Sequence, residues 1–160
     1  MIKIGLTGGI GSGKTLVATV FELLGFPVFN ADDVSKKILL RKSVKEKIIN
    51  YFGNSILSEE KIDNGKLASI IFNNLKSLVF LQSVLHPLVQ ESYLNWLEKQ
   101  NSKVTIKEAA ILFESGAYKH VDIVISISSS KELRINRVIK RDAVSKNHVL
   151  DRMKNQWKDS

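Results

Sequence analysis

The sequence predicts an α/β protein, a three-layer fold with a parallel core sheet between helices. Three observations carry this. An apolar run over residues 2–7 precedes a glycine-rich turn and an amphipathic helix. A second apolar run at 28–30 follows, and a strand–helix–strand unit of this kind joins parallel strands. Two further segments of strand chemistry, 104–114 and 121–127, come after a long helical block.

The first strand, IKIGLT, ends where the glycines from Gly8 to Gly13 begin. In the helix that follows, Val17, Val20, Phe21 and Leu24 recur at i, i+3, i+4 and i+7, the spacing of one apolar face. Gly25 suits its C-terminal cap. Pro27 opens the second strand, and Asn30 to Asp33 fall at that strand's carboxyl end. Asp33 is expected to cap a helix beginning at Val34. Residues 34–101 read as mostly helical, with turns at Asn54–Ser55 and Asp63–Gly65 and a fresh helix start at Pro87. That block is too long for one crossover helix and is expected to form a helical insertion. VTIKE and AAILFE (104–114) and then VDIVISI (121–127) read as strands, the last as a buried one. Lys131 to Arg141 is a helix dense in positive charge, Ala143 to His148 a polar break, and Val149 to Trp157 a last helix.

The 160 residues amount to one domain, and their 44% hydrophobic and 25% charged content is that of a globular chain. No run of 18 apolar residues is present, so no helix is expected to span a membrane. The N-terminus lacks the layout of a signal peptide, which makes the cytoplasm the expected compartment. With no cysteine, thiolate zinc sites and a cysteine nucleophile are excluded. The net charge of +8 calls for an anionic partner, and much of it lies between Lys131 and Lys158, where nine basic residues face three acids. No zinc-finger or RNA-recognition signature accompanies it, so nucleic acid is not the expected partner, and phosphorylated small molecules, acidic lipid and a plain solvated cationic helix pair stay open on charge alone.

The strongest signal is GGIGSGKT, Gly8 to Thr15, which matches G-x-x-x-x-G-K-[ST], the P-loop. Its glycines let backbone N–H groups converge on phosphate oxygens, and the following helix points its N-terminus at the same anion. Gly9, Ile10, Gly11, Ser12, Gly13, Lys14 and Thr15 are therefore the expected nucleotide-binding residues, with Lys14 on the β- and γ-phosphates and Thr15 on Mg²⁺. The fold class sharpens to a P-loop NTPase. No Asn-Lys-x-Asp sequence is present for guanine, and no apolar run ends in aspartate: AAILFE ends in Glu114 and VDIVISI starts beside Asp122. A small kinase remains, which needs a carboxylate at the acceptor hydroxyl and cations around the transferring phosphoryl group. Asp32 is the candidate base. Arg134, Arg137 and Arg141 share one helix face and suit an Arg-rich lid over about 131–150, with Arg137 on the nucleotide and Arg141 in the reaction itself. Two alternatives stay open on these residues: another small-metabolite or nucleoside kinase, and a nucleotide-switched nucleic-acid-binding protein.

GLTGGIGSGKT, VFNAD at 28–32, LHPLV at 85–89, ILFESG at 111–116 and the arginine-rich segment through Arg141-Asp142 come in an order and spacing that resemble the dephospho-CoA kinase family, over essentially the whole chain. The resemblance implies a single P-loop kinase domain over 1–160, with a helical acceptor-binding insertion at about 34–101. It implies ATP and dephospho-CoA as partners, Mg²⁺ as cofactor, and coenzyme A as product. It also implies an Asp-Ala-Asp after the second strand, where this chain has Asn30-Ala31-Asp32; Asp32 keeps the acid implied as the base, and Asn30 brings no charge. His86-Pro87 matches the family's His-Pro, and Glu114 is placed to face the site. The family continues past the Gln156 region to a further strand and a loop near the adenine.

Overall fold

The computed structural model describes residues 1–154 and Gln156, and for residues 72 and 73 the backbone alone. The chain divides into two compact units, residues 1–32 with 93–160, and residues 33–92.

The first unit is built on a parallel sheet. Its strands are β1 (Ile2–Thr7), β2 (Val28–Asn30), β5 (Val104–Glu108) and β6 (Ile123–Ser126), in the order β2-β5-β1-β6. β1 lies between β5 and β6, with Leu6 opposite Glu108 on one side and Ile125 on the other. β2 pairs with the far edge of β5, Asn30 opposite Glu108. This register brings the carboxyl ends of β1, β2 and β5 level, the place where open α/β sheets bind ligands. α1 (Lys14–Leu23) packs on the sheet around Leu6, Ala18 and Ile106, with Val17 and Phe21 against them. The apolar stripe expected on α1 is thus corrected: Val20 and Leu24 are exposed, and the buried face runs through Val17, Ala18 and Phe21, the set the helix rotation turns toward the sheet. Gly25 does terminate α1: at φ +84° it lets its own N–H reach the Glu22 carbonyl and that of Phe26 reach Phe21.

Two strand expectations change. β5 stops at Glu108, and residues 110–116 form successive turns closed by Ser115 N–H to the Ile111 carbonyl and Gly116 N–H to Phe113. AAILFE is apolar because Ala109 and Leu112 fill the core from this turn, not because it is a strand. β6 pairs with β1 alone among the described residues, and Ile123 and Val124 are 50% and 37% exposed, so it is an edge rather than a buried strand. α6 (Lys131–Asp142) and α7 (Lys146–Lys154) follow, joined by the Ile135, Val138 and Val149 cluster. The expected last helix begins three residues early, inside the polar stretch read as a break; Trp157 lies outside the described residues.

The second unit has its own core, Ile38, Val44, Ile48, Ile56, Leu67, Leu81, Val84 and Leu85. It comprises most of α2 (Ala31–Leu39), α3 (Lys42–Phe52), a hairpin of β3 (Leu57–Ser58) and β4 (Lys61–Ile62), α4 (Asn64–Asn73) and most of α5 (Leu75–Leu97). Asp63 is not a turn residue but the N-cap of α4, its Oδ1 accepting from Gly65 and Lys66 N–H at 2.8 and 3.0 Å. The expected helix start at Pro87 is also corrected. α5 runs through Pro87, since the missing N–H removes one bond while Val84, Leu85, Leu88 and Val89 on either side are held by the core.

Candidate active site

The loop between β1 and α1 is shaped by residues that only glycine satisfies. Gly13 precedes α1 at φ +106°, and no side chain caps the helix, so the first N–H groups of α1 stay available to an anion. Lys14 opens the helix and is buried; its Nζ donates to the Gly8 carbonyl at 2.7 Å. Burial pushes the Lys14 ammonium below the ordinary lysine value. The Asp32 and Glu108 carboxylates oppose that shift, and Arg134 and Arg141 add to it. The sequence candidates Lys14, Asp32 and Arg141 therefore lie within electrostatic reach of one another.

Thr15 points at the end of β5. Its Oγ1 donates to Glu108 Oε1 at 3.1 Å, while Asn30 Nδ2 donates to Glu108 Oε2 at 2.7 Å. Glu108 is 4% exposed. This carboxylate is the residue sequence reasoning missed. Its signal was present, an acid at the carboxyl end of a strand paired with the P-loop strand, but the search was for an apolar run ending in aspartate. The contact also gives Asn30 a role: its amide donates to a carboxylate that an aspartate could only repel while both were ionised.

Asp32 and Asp33 both lie in the first turn of α2, which begins at Ala31 rather than Val34. Asp33 is therefore not an N-cap. Its carboxylate is exposed and pairs with Lys36 Nζ at 2.8 Å. The three arginines of α6 are placed differently. Arg134 is buried, its Nε donating to the Ile10 carbonyl at 2.9 Å. Arg137 Nη1 donates to the carbonyls of Gly11 and Ser12 at 3.3 and 3.2 Å. Arg141 is exposed and forked onto Asp142, at 2.7 Å from Nε and 3.1 Å from Nη2, and that hydrogen bonding raises its pKa. Arg152 holds Asp142 from α7. Gly9 and Gly11 exist for this packing: a Cβ on Gly9 would stand 1.8 Å from Arg134 Nη2, and one on Gly11 2.5 Å from the Arg134 carbonyl oxygen. Glu114 sits half-buried in the turns after β5. His86 lies in the second unit on α5, where burial lowers its pKa.

Oxygen donors are the right chemistry for a hard divalent cation, and the Thr15 hydroxyl beside the Glu108 carboxylate fits Mg²⁺. No group of three metal-ligating His, Asp or Glu residues occurs among the described residues.

A parallel sheet whose central strand feeds a P-loop, with arginines of a later helix on that loop, defines a P-loop phosphotransferase. A profile of the dephospho-CoA kinase family matches residues 2–160. The chain belongs to that family. It is 42% identical over 144 residues to a dephospho-CoA kinase of Fusobacterium nucleatum, covering 89% of this chain and 75% of the relative. It is 33% identical over 160 residues to one of Bacteroides fragilis, covering 99% and 78%. Among solved structures, a Thermus thermophilus protein superposes with a TM-score of 0.86 at 29% identity, over 98% of this chain and 80% of that one. A Campylobacter jejuni dephospho-CoA kinase gives 0.63 at 32% identity, over 96% and 79%.

Proposed function

We propose that this protein transfers the γ-phosphoryl group of ATP to the ribose 3′-hydroxyl of dephospho-CoA, giving ADP and coenzyme A, the last step of coenzyme A biosynthesis. The observation that supports it most is the convergence of Lys14, Thr15, Asp32 and Glu108 at the carboxyl ends of three adjacent parallel strands, in a chain of this family. The N–H groups of Gly11, Gly13, Lys14 and Thr15 receive the phosphates, those of Ile10 and Ser12 being engaged by Gln156 and the Gly9 carbonyl. Lys14 is held dehydrated beside them, so its charge acts at short range and low dielectric. The Thr15 hydroxyl, which donates to Glu108, would hold Mg²⁺, and the ion would supply charge neutralisation at the phosphates.

Asp32 orients the acceptor hydroxyl and accepts its proton. Arg137 binds the nucleotide phosphates, and Arg141, released from Asp142, stabilises the transferring group. Catalysis of this kind is positioning and electrostatics. Both substrates are polyanions, which gives the +8 charge its purpose. The test is ADP release from ATP with dephospho-CoA as acceptor, the product being identified by mass as coenzyme A. Turnover with a nucleoside or sugar acceptor in its place would refute the assignment.

A further inference from the structure

Among the described residues, Ile10 is the residue of the phosphate-binding loop whose polar and apolar parts are all engaged by side chains of the C-terminal helical segment. Its N–H donates to Gln156 Oε1 at 2.8 Å, just past α7. Its carbonyl accepts from Arg134 Nε on α6 at 2.9 Å. Its side chain packs on the Ile135, Val138 and Val149 cluster that joins the two helices. Gln156 is held in turn, Nε2 donating to the Ala110 carbonyl at 3.4 Å, which keeps Oε1 turned to the loop. The Gly9–Ile10 peptide is thus held at both ends, its N–H by Gln156 and its carbonyl by Ser12 N–H at 3.1 Å, while Arg134 holds the next peptide through the Ile10 carbonyl.

We propose that Gln156 is a positioning residue for phosphate binding, acting through the peptide group of Ile10. By drawing the Ile10 N–H outward it sets the turn that aims the following loop amides inward, and it links the α6–α7 segment to nucleotide affinity. The proposal rests on the reading that this loop binds the phosphates of ATP. A loop amide left part-buried without an acceptor costs free energy, and a peptide held by the Ser12 bond alone must be ordered further whenever nucleotide binds.

Gln156→Met keeps length but offers Ile10 no acceptor, whereas Gln156→Glu keeps an acceptor oxygen. Four quantities are measured on the full chain: hydrogen exchange of the Ile10 amide, ATP affinity by calorimetry without acceptor, KM for dephospho-CoA, and melting temperature. In Gln156→Met the Ile10 amide exchanges faster and ATP affinity falls on the order of tenfold, while KM for the acceptor stays within about twofold. In Gln156→Glu the amide stays protected and ATP affinity lies between the other two. A general structural role would instead lower the melting temperature and move both substrates alike. ATP affinity in Gln156→Met within about twofold of wild type, or an Ile10 amide as open in wild type as in that variant, overturns the proposal. If Gln156→Met does not fold, Gln156→Glu decides: an open amide with unchanged ATP affinity refutes, a protected amide with near wild-type affinity supports. A wild-type protein that binds ATP but leaves dephospho-CoA untouched would sink the acceptor assignment and leave the Gln156 comparison standing.

Discussion

Lys107 offers a prediction whose size follows from its surroundings. It sits one residue before the end of β5, 1% exposed, with Nζ 4.0 Å from the centroid of the Tyr93 ring. Burial pushes its pKa from 10.5 down to about 8. The folded chain therefore gives up this proton more readily than the unfolded chain. Between those two values the unfolded state binds more protons, and stability rises with pH. At about 1.4 kcal/mol per pKa unit, burying Lys107 costs the fold about 3 kcal/mol at pH 7, where the ammonium is held, and about 2 kcal/mol at pH 9, where the folded chain has given up the proton that the unfolded chain keeps. Tyr93, raised to about 12 by its own burial, works the other way, but only above the pKa of a free tyrosine near 10. The window from pH 7 to pH 9 thus leaves the tyrosine out, and the lowered Lys14, common to wild type and variant, cancels between them. Lys107→Met keeps the shape and removes the charge. Urea unfolding followed by circular dichroism should find it more stable than wild type at pH 7, with the advantage shrinking by about 1 kcal/mol at pH 9. An advantage that is the same at both pH values would refute the reasoning.

Lys14→Met should abolish turnover while the melting temperature holds or rises, because burial already opposes the ammonium; a folded variant with wild-type turnover would contradict the role given to Lys14. Glu108→Gln should raise the Mg²⁺ concentration for half-maximal activity on the order of tenfold, read from a metal titration at saturating substrates, and an unchanged titration would remove Glu108 from the metal's support. Asp32→Asn should lower turnover roughly 10²-fold with little change in melting, whereas Asp33→Ala, which loses an exposed pair with Lys36 and a first-turn carboxylate, should cost about 1 kcal/mol and leave turnover intact; the opposite pattern in steady-state kinetics would reverse the two roles.

Much of the first unit was legible because its chemistry is local. Gly8 to Thr15 announces both a turn and a ligand, and the helix after it carries its own C-terminal glycine. The hairpin β3–β4 was invisible for the opposite reason. Its turn is Glu59-Glu60, both at positive φ, where the recognised signal is Asn-Gly or Asp-Gly. Pro87 misled because a local breaker was outweighed by apolar residues on both sides of it. Glu108 was hidden by its neighbour. Lys107-Glu108 looks like the solvated end of a strand, yet both side chains are buried, one against Tyr93 and the other against Thr15 and Asn30. The α6 arginines shared a face as expected, but face alone does not reveal which guanidinium is bound to backbone. That depended on Gly9 and Gly11 leaving room for Arg134, a fit between segments more than 120 residues apart in the chain.

The bond from Asn30 to Glu108 also bears on how this sequence can change. The oxygen of an aspartate at position 30 would stand where the amide nitrogen now lies, 2.7 Å from a buried carboxylate oxygen. Two acids at that separation share one proton rather than both ionising. Positions 30 and 108 are therefore epistatic. An acid at 30 beside an ionised Glu108 meets a repulsion that vanishes once 108 is neutral, so the effect of a substitution at either position depends on the residue at the other.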